Sequence, residues 1–466
     1  MKNSNMLILV FIILIANFLL NGIYGIFFTL PILIGSFLLL NLIKIYLKNS
    51  TIFHPIPFVS MVLLWSLVCA PFVASGTGYN LALPPKEIDW LFWHVTTSLM
   101  YTICIVFFYI GILSGSAYNI LPKSRITKSP LKLKLITVIF LLVSLITQIL
   151  VFAKFGGLIG YMNAWSESRE QFQGLGILLM LAEPFPIILA FYVLLNIRDN
   201  KKTLLFFGTL LLVFFVLKLI FGGFRGSRSN TIWGLFWIAG AIHIAYYRFK
   251  RIHFTIGLVF LISFMSIYSL YKSFGVDAFS GNYALEDTNR YNKNSTIGTL
   301  LTDFSRTGEH AFILHEYYNN DNYHLKFGQT YISSLSKLIP GLNNSLGMVD
   351  KNFAGAELFY GMHIDPNISY YYNSRVYGLY GEGLFNFGPF IPVVFFTFVG
   401  CVIGVFHRYS VNLYFNDPRI LIVPFVSNLS LLLILADSDN IIFYIFKNGL
   451  LPFIFIYLIS KPKRYQ

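Results

Sequence analysis

A short stretch between two long apolar runs carries residue types that bind anions. The sequence FGGFRGSRSN, residues 221–230, places Arg225 and Arg228 among three glycines, and Lys218 lies seven residues before Arg225. That spacing is two helical turns on one face. Guanidinium groups match phosphate oxygens two at a time, and glycines let backbone N–H groups approach a ligand. We therefore expect a phosphate or diphosphate site here; the alternative is two arginines that mark a turn and snorkel to lipid headgroups.

A second set of candidates lies in a long polar segment, within STIGTLLTDFSRTGEHAFILHEYY, residues 295–318. Its apolar residues have helical spacing, and Asp303, Arg306 and His310 fall on the opposite side of that helix. This pattern favours Arg306 as a phosphate ligand, with His310 or Glu309 as the proton acceptor. The alternative is a solvated amphipathic helix that lies on the membrane.

Further candidates are isolated in the sequence. Arg290 and Arg375 could bind an anion, and Glu382 could transfer a proton. No zinc or phosphate-loop motif is visible, so we expect chemistry without a metal or other cofactor. Near the C-terminus, Lys447 follows two aspartates on a predicted span, and we expect it to pair with them; these are Asp437 and Asp439.

The elements that position these residues are membrane helices. Hydrophobic residues make up 56% of the 466 residues and charged residues 12%, against roughly a quarter charged in soluble domains. Apolar runs of roughly 17–22 residues, enough to cross a hydrocarbon core of about 30 Å, recur along the chain. The prediction is an all-α polytopic membrane protein with about twelve transmembrane helices, at residues 6–22, 25–46, 53–74, 91–112, 135–153, 174–196, 204–221, 231–247, 254–271, 388–406, 420–436 and 441–459.

The distribution of lysine and arginine gives the expected sidedness. These residues concentrate in alternate short loops, such as 123–134 and 248–251, which places both termini in the cytoplasm. The net charge of +14 is thus a topology signal, and we expect no nucleic-acid partner. Three segments follow: helices one to nine in residues 1–271, a large, tyrosine-rich outer loop with short amphipathic helices in 272–387, and helices ten to twelve in 388–466. Cys69, Cys104 and Cys401 fall inside predicted spans and offer no disulfide framework.

Two motifs connect the outer loop to a family. FGQTYISSLSKLIPGL contains Gly328, Thr330 and Tyr331 followed by Ile339 and Pro340. YGEGLFNFGPF, which leads into the next span, contains Gly381, Glu382, Asn386, Phe387 and Gly388. In order and spacing, together with RGSR at 225–228, these residues resemble the Wzy-type O-antigen polymerases, also called oligosaccharide repeat unit polymerases. The resemblance covers residues 210–405.

The resemblance implies a membrane glycosyltransferase of the GT-C-like class. It would transfer a glycan from undecaprenyl diphosphate onto a repeat unit carried by a second undecaprenyl diphosphate, at the periplasmic face of a bacterial inner membrane. The product would be O-antigen or a capsule-type polysaccharide, so the chain would act in lipopolysaccharide or polysaccharide biosynthesis. Its partners would be the lipid-linked oligosaccharide, membrane lipid, a chain-length regulator and a flippase.

Two alternatives stay open. A flippase or transporter of lipid-linked oligosaccharide would have a similar number of spans, although flippases of this pathway usually lack so large an outer loop. An O-antigen ligase would transfer the same donor to a different acceptor. None of the histidines is followed by Ser or Thr, the pair that the ligases carry.

Overall fold

The computed structural model describes residues 19, 22–77, 88–167, 172, 174–197, 203–226, 228–274, 301, 305–339, 342–360 and 375–463. The helices in this part of the chain are α1 (Ile23–Tyr46), α2 (Pro55–Leu63), α3 (Ala70–Thr77), α4 (Trp90–Ala117), α5 (Pro130–Lys154), α6 (Leu158–Glu167), α7 (Gly176–Ala182), α8 (Phe185–Asn196), α9 (Leu204–Ile220), α10 (Arg228–Ala245), α11 (Arg251–Phe274), α12 (Thr307–Asn319), α13 (Gln329–Ser336), α14 (Leu342–Leu346), α15 (Lys351–Tyr360), α16 (Gly378–Phe387), α17 (Ile391–Val411), α18 (Val423–Leu435), α19 (Ser438–Tyr444) and α20 (Leu450–Ile459).

Shorter elements interrupt or join these helices. Two π-helical segments, Leu64–Cys69 and Ile445–Gly449, each continue one α-helix into the next. Two 3₁₀ turns, Gly223–Arg225 and Pro418–Ile422, precede α10 and α18. The strands β1 (Arg125–Thr127) and β2 (Ser460–Pro462) form one antiparallel pair in which Ile126 lies opposite Lys461.

The membrane character that the sequence predicts is confirmed. Among the described residues, nine helical stretches are long and apolar enough to cross a membrane, and they match nine of the twelve predicted spans: Tyr24–Tyr46, Pro55–Thr77, Trp90–Ala117, Pro130–Lys154, Gly176–Asn196, Leu204–Arg225, Ile391–Val411, Pro418–Leu435 and Ser438–Ile459. The predicted spans 231–247 and 254–271 correspond to α10 and α11, which are helices but not among those nine. The predicted span 6–22 lies almost wholly outside the described residues.

The described residues fall into two compact units that cut across the three predicted segments. The first unit takes its residues from Met1–Ile120, Lys293–Val411 and Leu429–Ile442. At its centre α4 and α17 pack backbone to backbone, because glycines leave no side chain between them. A Cβ added to Gly115 would lie 2.0 Å from the carbonyl oxygen of Cys401, and one added to Gly404 would lie 2.7 Å from that of Ile112. Small residues permit this close helix contact within membranes.

The second unit takes its residues from Leu121–Asn292, Asn412–Asn428 and Phe443–Gln466. At one end of this unit the fully buried carboxylate of Asp417 accepts hydrogen bonds from the backbone N–H of Arg125, at 3.0 Å, and from Nε of Arg419, at 2.9 Å. Further along, the Trp237 indole N–H donates to the carbonyl of Leu421 at 2.7 Å. These contacts tie α10, β1 and the 3₁₀ turn Pro418–Ile422 into one body.

Candidate functional site

A buried carboxylate in the second unit gathers the cations that the sequence singled out. Glu183 is 1% exposed and lies inside an apolar span, between α7 and α8. Its Oε1 atom is 3.0 Å from Nη2 of Arg225 and 2.9 Å from Nζ of Lys447. Its Oε2 atom accepts a hydrogen bond from Nδ2 of Asn230 at 2.5 Å. We call Glu183, Arg225, Lys447 and the adjoining Lys218 the charge cluster.

Lys218 enters the charge cluster from α9 and is also 1% exposed. Its Nζ atom lies 3.4 Å from the backbone carbonyl oxygen of Glu183. Gly234 on α10 makes room for the lysine stem, since a Cβ added there would lie 3.2 Å from Cε of Lys218. Lys218 and Arg225 thus meet at the same residue, Glu183, but they do not share a helical face as the spacing predicted, because α9 ends at Ile220 and Arg225 lies on the 3₁₀ turn that follows.

Each charged residue of the cluster other than Lys218 stands where a helix is interrupted. Glu183 precedes Pro184 at the junction of α7 and α8, and Arg225 ends the 3₁₀ turn after α9. Lys447 lies on the π-helical segment Ile445–Gly449. Single π turns within α-helices occur frequently at functional sites, and charged residues in membrane spans are expensive and functional by default. Irregular backbone at three points thus brings these charges together.

Glycine is required at the turn that carries Arg225. Gly222 has φ of 154° and Gly226 has φ of 83°, which are backbone conformations that favour glycine. A Cβ added to Gly222 would lie 2.8 Å from Nδ2 of Asn230 and 3.1 Å from the carboxyl carbon of Glu183. The close backbone approach at Gly222 thus makes room for the Glu183 side chain, while approach of the turn to a ligand stays a prediction.

Two tyrosines of α11 fix the same turn from the other side. The Tyr268 hydroxyl donates to the carbonyl of Gly223, and the Tyr271 hydroxyl donates to the carbonyl of Phe224 at 2.5 Å. The backbone that leads into Arg225 is thereby fixed by α11 at two successive carbonyls. Preorganised positive charge of this kind needs little rearrangement to stabilise a bound anion.

The charge cluster has more positive than negative charge. Lys218, Arg225 and Lys447 supply three cations against the single carboxylate of Glu183, which leaves two positive charges within the group. The side chains of Arg225 and Lys447 remain 14% and 16% exposed, so both can be reached from outside the packed interior. An excess of positive charge of this kind attracts an anionic group such as phosphate.

A second polar region lies in the first unit and is built around two buried carboxylates. Asp437 is fully buried, and its Oδ1 atom accepts hydrogen bonds from the backbone N–H groups of Tyr377, at 2.7 Å, and Gly378, at 2.8 Å. Its Oδ2 atom pairs with Nζ of Lys351, which also lies 3.1 Å from Oδ1 of Asp439. We call Asp437, Glu382 and the groups bonded to them the polar centre.

Glu382 on α16 is the other carboxylate of the polar centre. Its Oε1 atom accepts hydrogen bonds from the Thr330 hydroxyl, at 2.8 Å, and the Ser438 hydroxyl, at 2.6 Å, and its Oε2 atom accepts from the Ser438 backbone N–H at 2.7 Å. Burial and then the nearby Asp437 carboxylate raise the pKa of Glu382 to about 7, and the hydrogen bonds from Ser438 and Thr330 oppose that shift. A carboxyl with this pKa can exchange a proton near neutral pH.

His310 on α12 has both ring nitrogens occupied within the first unit. Nε2 lies 2.5 Å from the carbonyl oxygen of Tyr377, and Nδ1 lies 2.5 Å from the Tyr101 hydroxyl. Since a carbonyl only accepts, Nε2 carries the proton and Nδ1 accepts from Tyr101. Burial, the largest cause, lowers the pKa of His310 to about 4, so the ring is neutral at neutral pH.

Three other predicted residues lie beside His310. Glu309 is buried and pairs with Arg375, whose Nη1 lies 3.6 Å from its Oε1. Burial raises the pKa of Glu309, and the guanidinium groups of Arg306 and Arg375 oppose that shift. Arg306 and His310 line a small cavity with Tyr101, which has room for about one water molecule.

The structure corrects two local predictions. The described part of the helix with Glu309 and His310 begins at Thr307, with Arg306 at the N-cap position, so Arg306 is not on a helical face with His310. The solvated amphipathic helix is also wrong, because both sides of α12 are buried: the buried residues are Thr307, Glu309, His310, Ala311, Phe312, Ile313, Leu314 and Glu316. Asp303 lies outside the described residues.

The expected pairing of Lys447 with the two aspartates is likewise wrong. Lys447 pairs with Glu183, whereas Asp437 and Asp439 both pair with Lys351. The physical reason is that Lys351, from the polar outer segment, is buried against the aspartates and supplies their counter-charge. The π-helical turn carries Lys447 into the second unit instead.

The predicted site residues thus separate into two groups. Lys218 and Arg225 belong to the charge cluster, and Arg228 follows as the first, partly buried residue of α10. Arg306, Glu309, His310, Arg375 and Glu382 belong to the first unit. Arg290 lies outside the described residues.

Sequence reasoning missed the residue at the centre of the charge cluster. Glu183 is an acidic residue within an apolar run, LLMLAEPFPIILAF, and that placement alone was a signal. Tyr101 and Lys351 carried no comparable signal, because a tyrosine within a span and a lysine in a polar loop are both ordinary. Their roles arise from contacts with residues distant in the chain.

The chain matches no known family model, no curated protein and no solved structure.

Proposed function

We propose that this chain is a membrane glycosyltransferase that polymerises oligosaccharide repeat units carried on undecaprenyl diphosphate. The charge cluster would bind the diphosphate of the donor at the periplasmic face of a bacterial inner membrane. The motif resemblance at Gly328–Tyr331 and Gly381–Gly388 motivates the choice of reaction. The observation that carries the site is the convergence of three cations on Glu183 within apolar spans.

The chemistry needs positive charge where the sugar–diphosphate bond breaks. As that bond lengthens, the sugar becomes oxocarbenium-like and negative charge builds on the departing diphosphate. Arg225 and Lys447 are partly exposed and share one carboxylate oxygen, so they can turn donor hydrogens towards an incoming phosphate while Glu183 keeps them in place. Loss of one such donor to a developing charge typically costs 10²–10³-fold in rate.

The proposed diphosphate site does not depend on which residue accepts the proton in the reaction. His310, Glu309 and Glu382 remain the predicted candidates, and each is already held by partners within its own unit: Tyr101 and Tyr377, Arg375, and Thr330 with Ser438. The pKa of Glu382 is about 7, near neutral, whereas that of His310 is about 4. We therefore favour Glu382 over His310 for proton transfer.

The test is polymer synthesis by variants of the charge cluster. In a strain that lacks the gene, Arg225→Ala and Lys447→Ala should each reduce the polysaccharide ladder to single repeats, with activity of the purified proteins down about 100-fold or more. Lys461→Ala, which removes an exposed lysine of the same unit, is the matched control and should keep the ladder. Immunoblots of membranes check that each variant is present at normal abundance.

The outcome that would refute the site is a normal ladder from both cluster variants. The proposed reaction itself fails if purified wild-type protein in nanodiscs, given lipid-linked repeat unit, releases no undecaprenyl diphosphate and makes no longer glycan. A ladder that shortens with Arg225→Lys as well would indicate that the forked guanidinium, and not charge alone, binds the phosphate.

Transport of a lipid-linked oligosaccharide is the second candidate. Interrupted helices that carry charges inside the membrane, as at Glu183 and Lys447, also occur in transporters. Proteoliposomes separate the two functions. Longer glycans with free lipid diphosphate indicate the polymerase, whereas movement of unchanged lipid-linked repeat unit between leaflets indicates the transporter.

A further inference from the structure

Helix α13, in the predicted outer loop, has its polarity reversed. Its buried residues are all hydroxyl-bearing, namely Thr330, Ser333, Ser334 and Ser336. Its exposed residues are aliphatic: Ile332 is 45% exposed and Leu335 is 59% exposed. The residues on either side continue the pattern, with Phe327 at 74% and Ile339 at 58%. A helix in contact with water shows the opposite arrangement, with its apolar face inward.

The hydroxyl face of α13 is committed to the protein interior. Thr330 donates to Glu382, the hydroxyls of Ser334 and Ser438 lie 2.6 Å apart, and Ser336 donates to Oδ1 of Asn343 at 2.8 Å. The helix therefore cannot rotate to hide its aliphatic side without breaking these bonds, and unpaired buried polar groups are costly. Its apolar face must stay outward.

The segment contains little charge that would hold it in water. Lys337 is the only charged residue between positions 327 and 339. Its Nζ atom lies 3.3 Å from Asp350 and 3.8 Å from Asp439, so its charge is directed to the protein and not outward. The outward surface thus consists of aliphatic and aromatic side chains.

This surface continues that of a membrane span. The backbone N–H of Phe327 donates to the carbonyl of Asn386 at 3.1 Å, a few residues before α17 begins. The ring of Tyr331 lies 6.2 Å from that of Phe395, one turn into α17. On α17 the outward residues are also apolar, with Val394 60% exposed and Phe398 69% exposed. Because α17 is long and apolar enough to cross a membrane, we expect its outward face to contact lipid, and the face of α13 adjoins it.

We propose that the segment Phe327–Ile339 is embedded in the bilayer beside the start of α17, with Ile332, Leu335 and Ile339 packed against lipid acyl chains. Burial of these side chains in lipid removes their apolar area from water, which is the main favourable term for such insertion. The predicted outer loop is then not wholly aqueous. Its embedded helix holds Thr330 against Glu382 at the depth of the membrane boundary.

Spin labels on single cysteines test this placement in the full-length protein. In a background with Cys69, Cys104 and Cys401 changed to alanine, labels are placed at Ile332, Leu335 and Ile339 of the protein in nanodiscs that hold one copy. Accessibility is measured to oxygen, which concentrates in lipid, and to a polar nickel chelate, which stays in water. A label at Val394 on α17 is the positive control, and one at exposed Asn322 is the aqueous control.

The expected result is a high ratio of oxygen to nickel accessibility at positions 332, 335 and 339, close to that at 394. A ratio like that at 322 would overturn the proposal, because the face would then be in water. Low access to both reagents in single-copy nanodiscs would also overturn it, since another part of the protein would cover the face. Quenching of a bimane at position 335 by brominated lipid, absent for a bimane at 322, is the second expected result. Thermal unfolding of the alanine background must match wild type for these comparisons.

Discussion

The charge cluster and the polar centre satisfy buried carboxylates in different ways. Around Glu183, three cationic side chains converge on one acid, and two of them share a single oxygen atom. Around Asp437 and Glu382, backbone N–H groups and hydroxyls supply most of the donors, and one lysine serves Asp437 and Asp439 together. The first arrangement leaves more positive than negative charge, whereas in the second the carboxylates are bonded mainly to neutral donors. We therefore base the proposed anion site on the excess of positive charge and not on buried charge alone.

Removal of the Glu183 carboxylate should give the largest effect and tests whether the cluster depends on its acid. Glu183→Gln leaves three cations together in a low-dielectric site, and loss of one partner of a buried ion pair typically costs about 3–5 kcal/mol. Thermal unfolding in nanodiscs measures the loss. Glu357→Gln, which breaks the more exposed pair with Lys326, is the control and should cost at most about 1 kcal/mol. Equal unfolding temperatures for the two variants would mean that the cluster is hydrated and its ion pairs are weak.

The second prediction concerns the polar centre, where Glu382 should make the free energy of unfolding depend on pH. Its pKa of about 7 in the folded protein lies above the value of about 4.3 for an unfolded glutamate. The protonated form is therefore favoured by folding, and this stability is complete below about pH 4 and is lost as pH rises to about 7. The loss is at most about 1.4 kcal/mol per pH unit.

The measurement is the unfolding temperature of wild type and Glu382→Gln between pH 5 and pH 8. The wild type should lose stability relative to the variant as pH rises, because the glutamine cannot ionise. Glu357→Gln controls for the removal of a carboxylate that is more exposed. Parallel curves for wild type and Glu382→Gln would show that Glu382 is ionised throughout and that the polar centre stabilises its charge more than burial opposes it.

The smallest effect should come from a single hydroxyl of the polar centre. Thr330→Val keeps the shape but removes the donor to Glu382 and the acceptor for Asn386, at an expected cost of about 1–2 kcal/mol. Thr209→Val, whose exposed hydroxyl bonds only within α9, should change stability by less than about 0.5 kcal/mol. If Thr330→Val costs as much as Glu183→Gln, the hydroxyl network of the polar centre stabilises the fold as strongly as the ion pairs of the charge cluster.

Much of the fold could be predicted because the hydropathy of a segment depends only on the residues within that segment. A run such as Leu204–Ile220 is apolar whatever lies beside it, and nine of the predicted spans are helices long and apolar enough to cross a membrane among the described residues. The co-location of Lys218 and Arg225 was also predictable, since both follow from one helix and the turn at its end. The solvated face expected for α12 was wrong because burial, unlike hydropathy, depends on other segments of the chain. Its alternation of polar and apolar residues predicts one wet face, but neighbouring segments cover both faces.

The sequence by itself determined the membrane spans, the glycine turn and the pair of cations at the end of α9. Only the tertiary structure decided that Glu183 is their counter-ion, that Lys447 joins them and that Lys351 belongs to Asp437 and Asp439. The physical reason is that the free energy of transfer into lipid is a sum over the residues of one continuous segment. An ion pair instead requires that two charged atoms, often from distant segments, lie within a few ångströms of each other. Any of several basic residues could meet each acid by charge alone, and helix interruptions far apart in the chain decide which of them does.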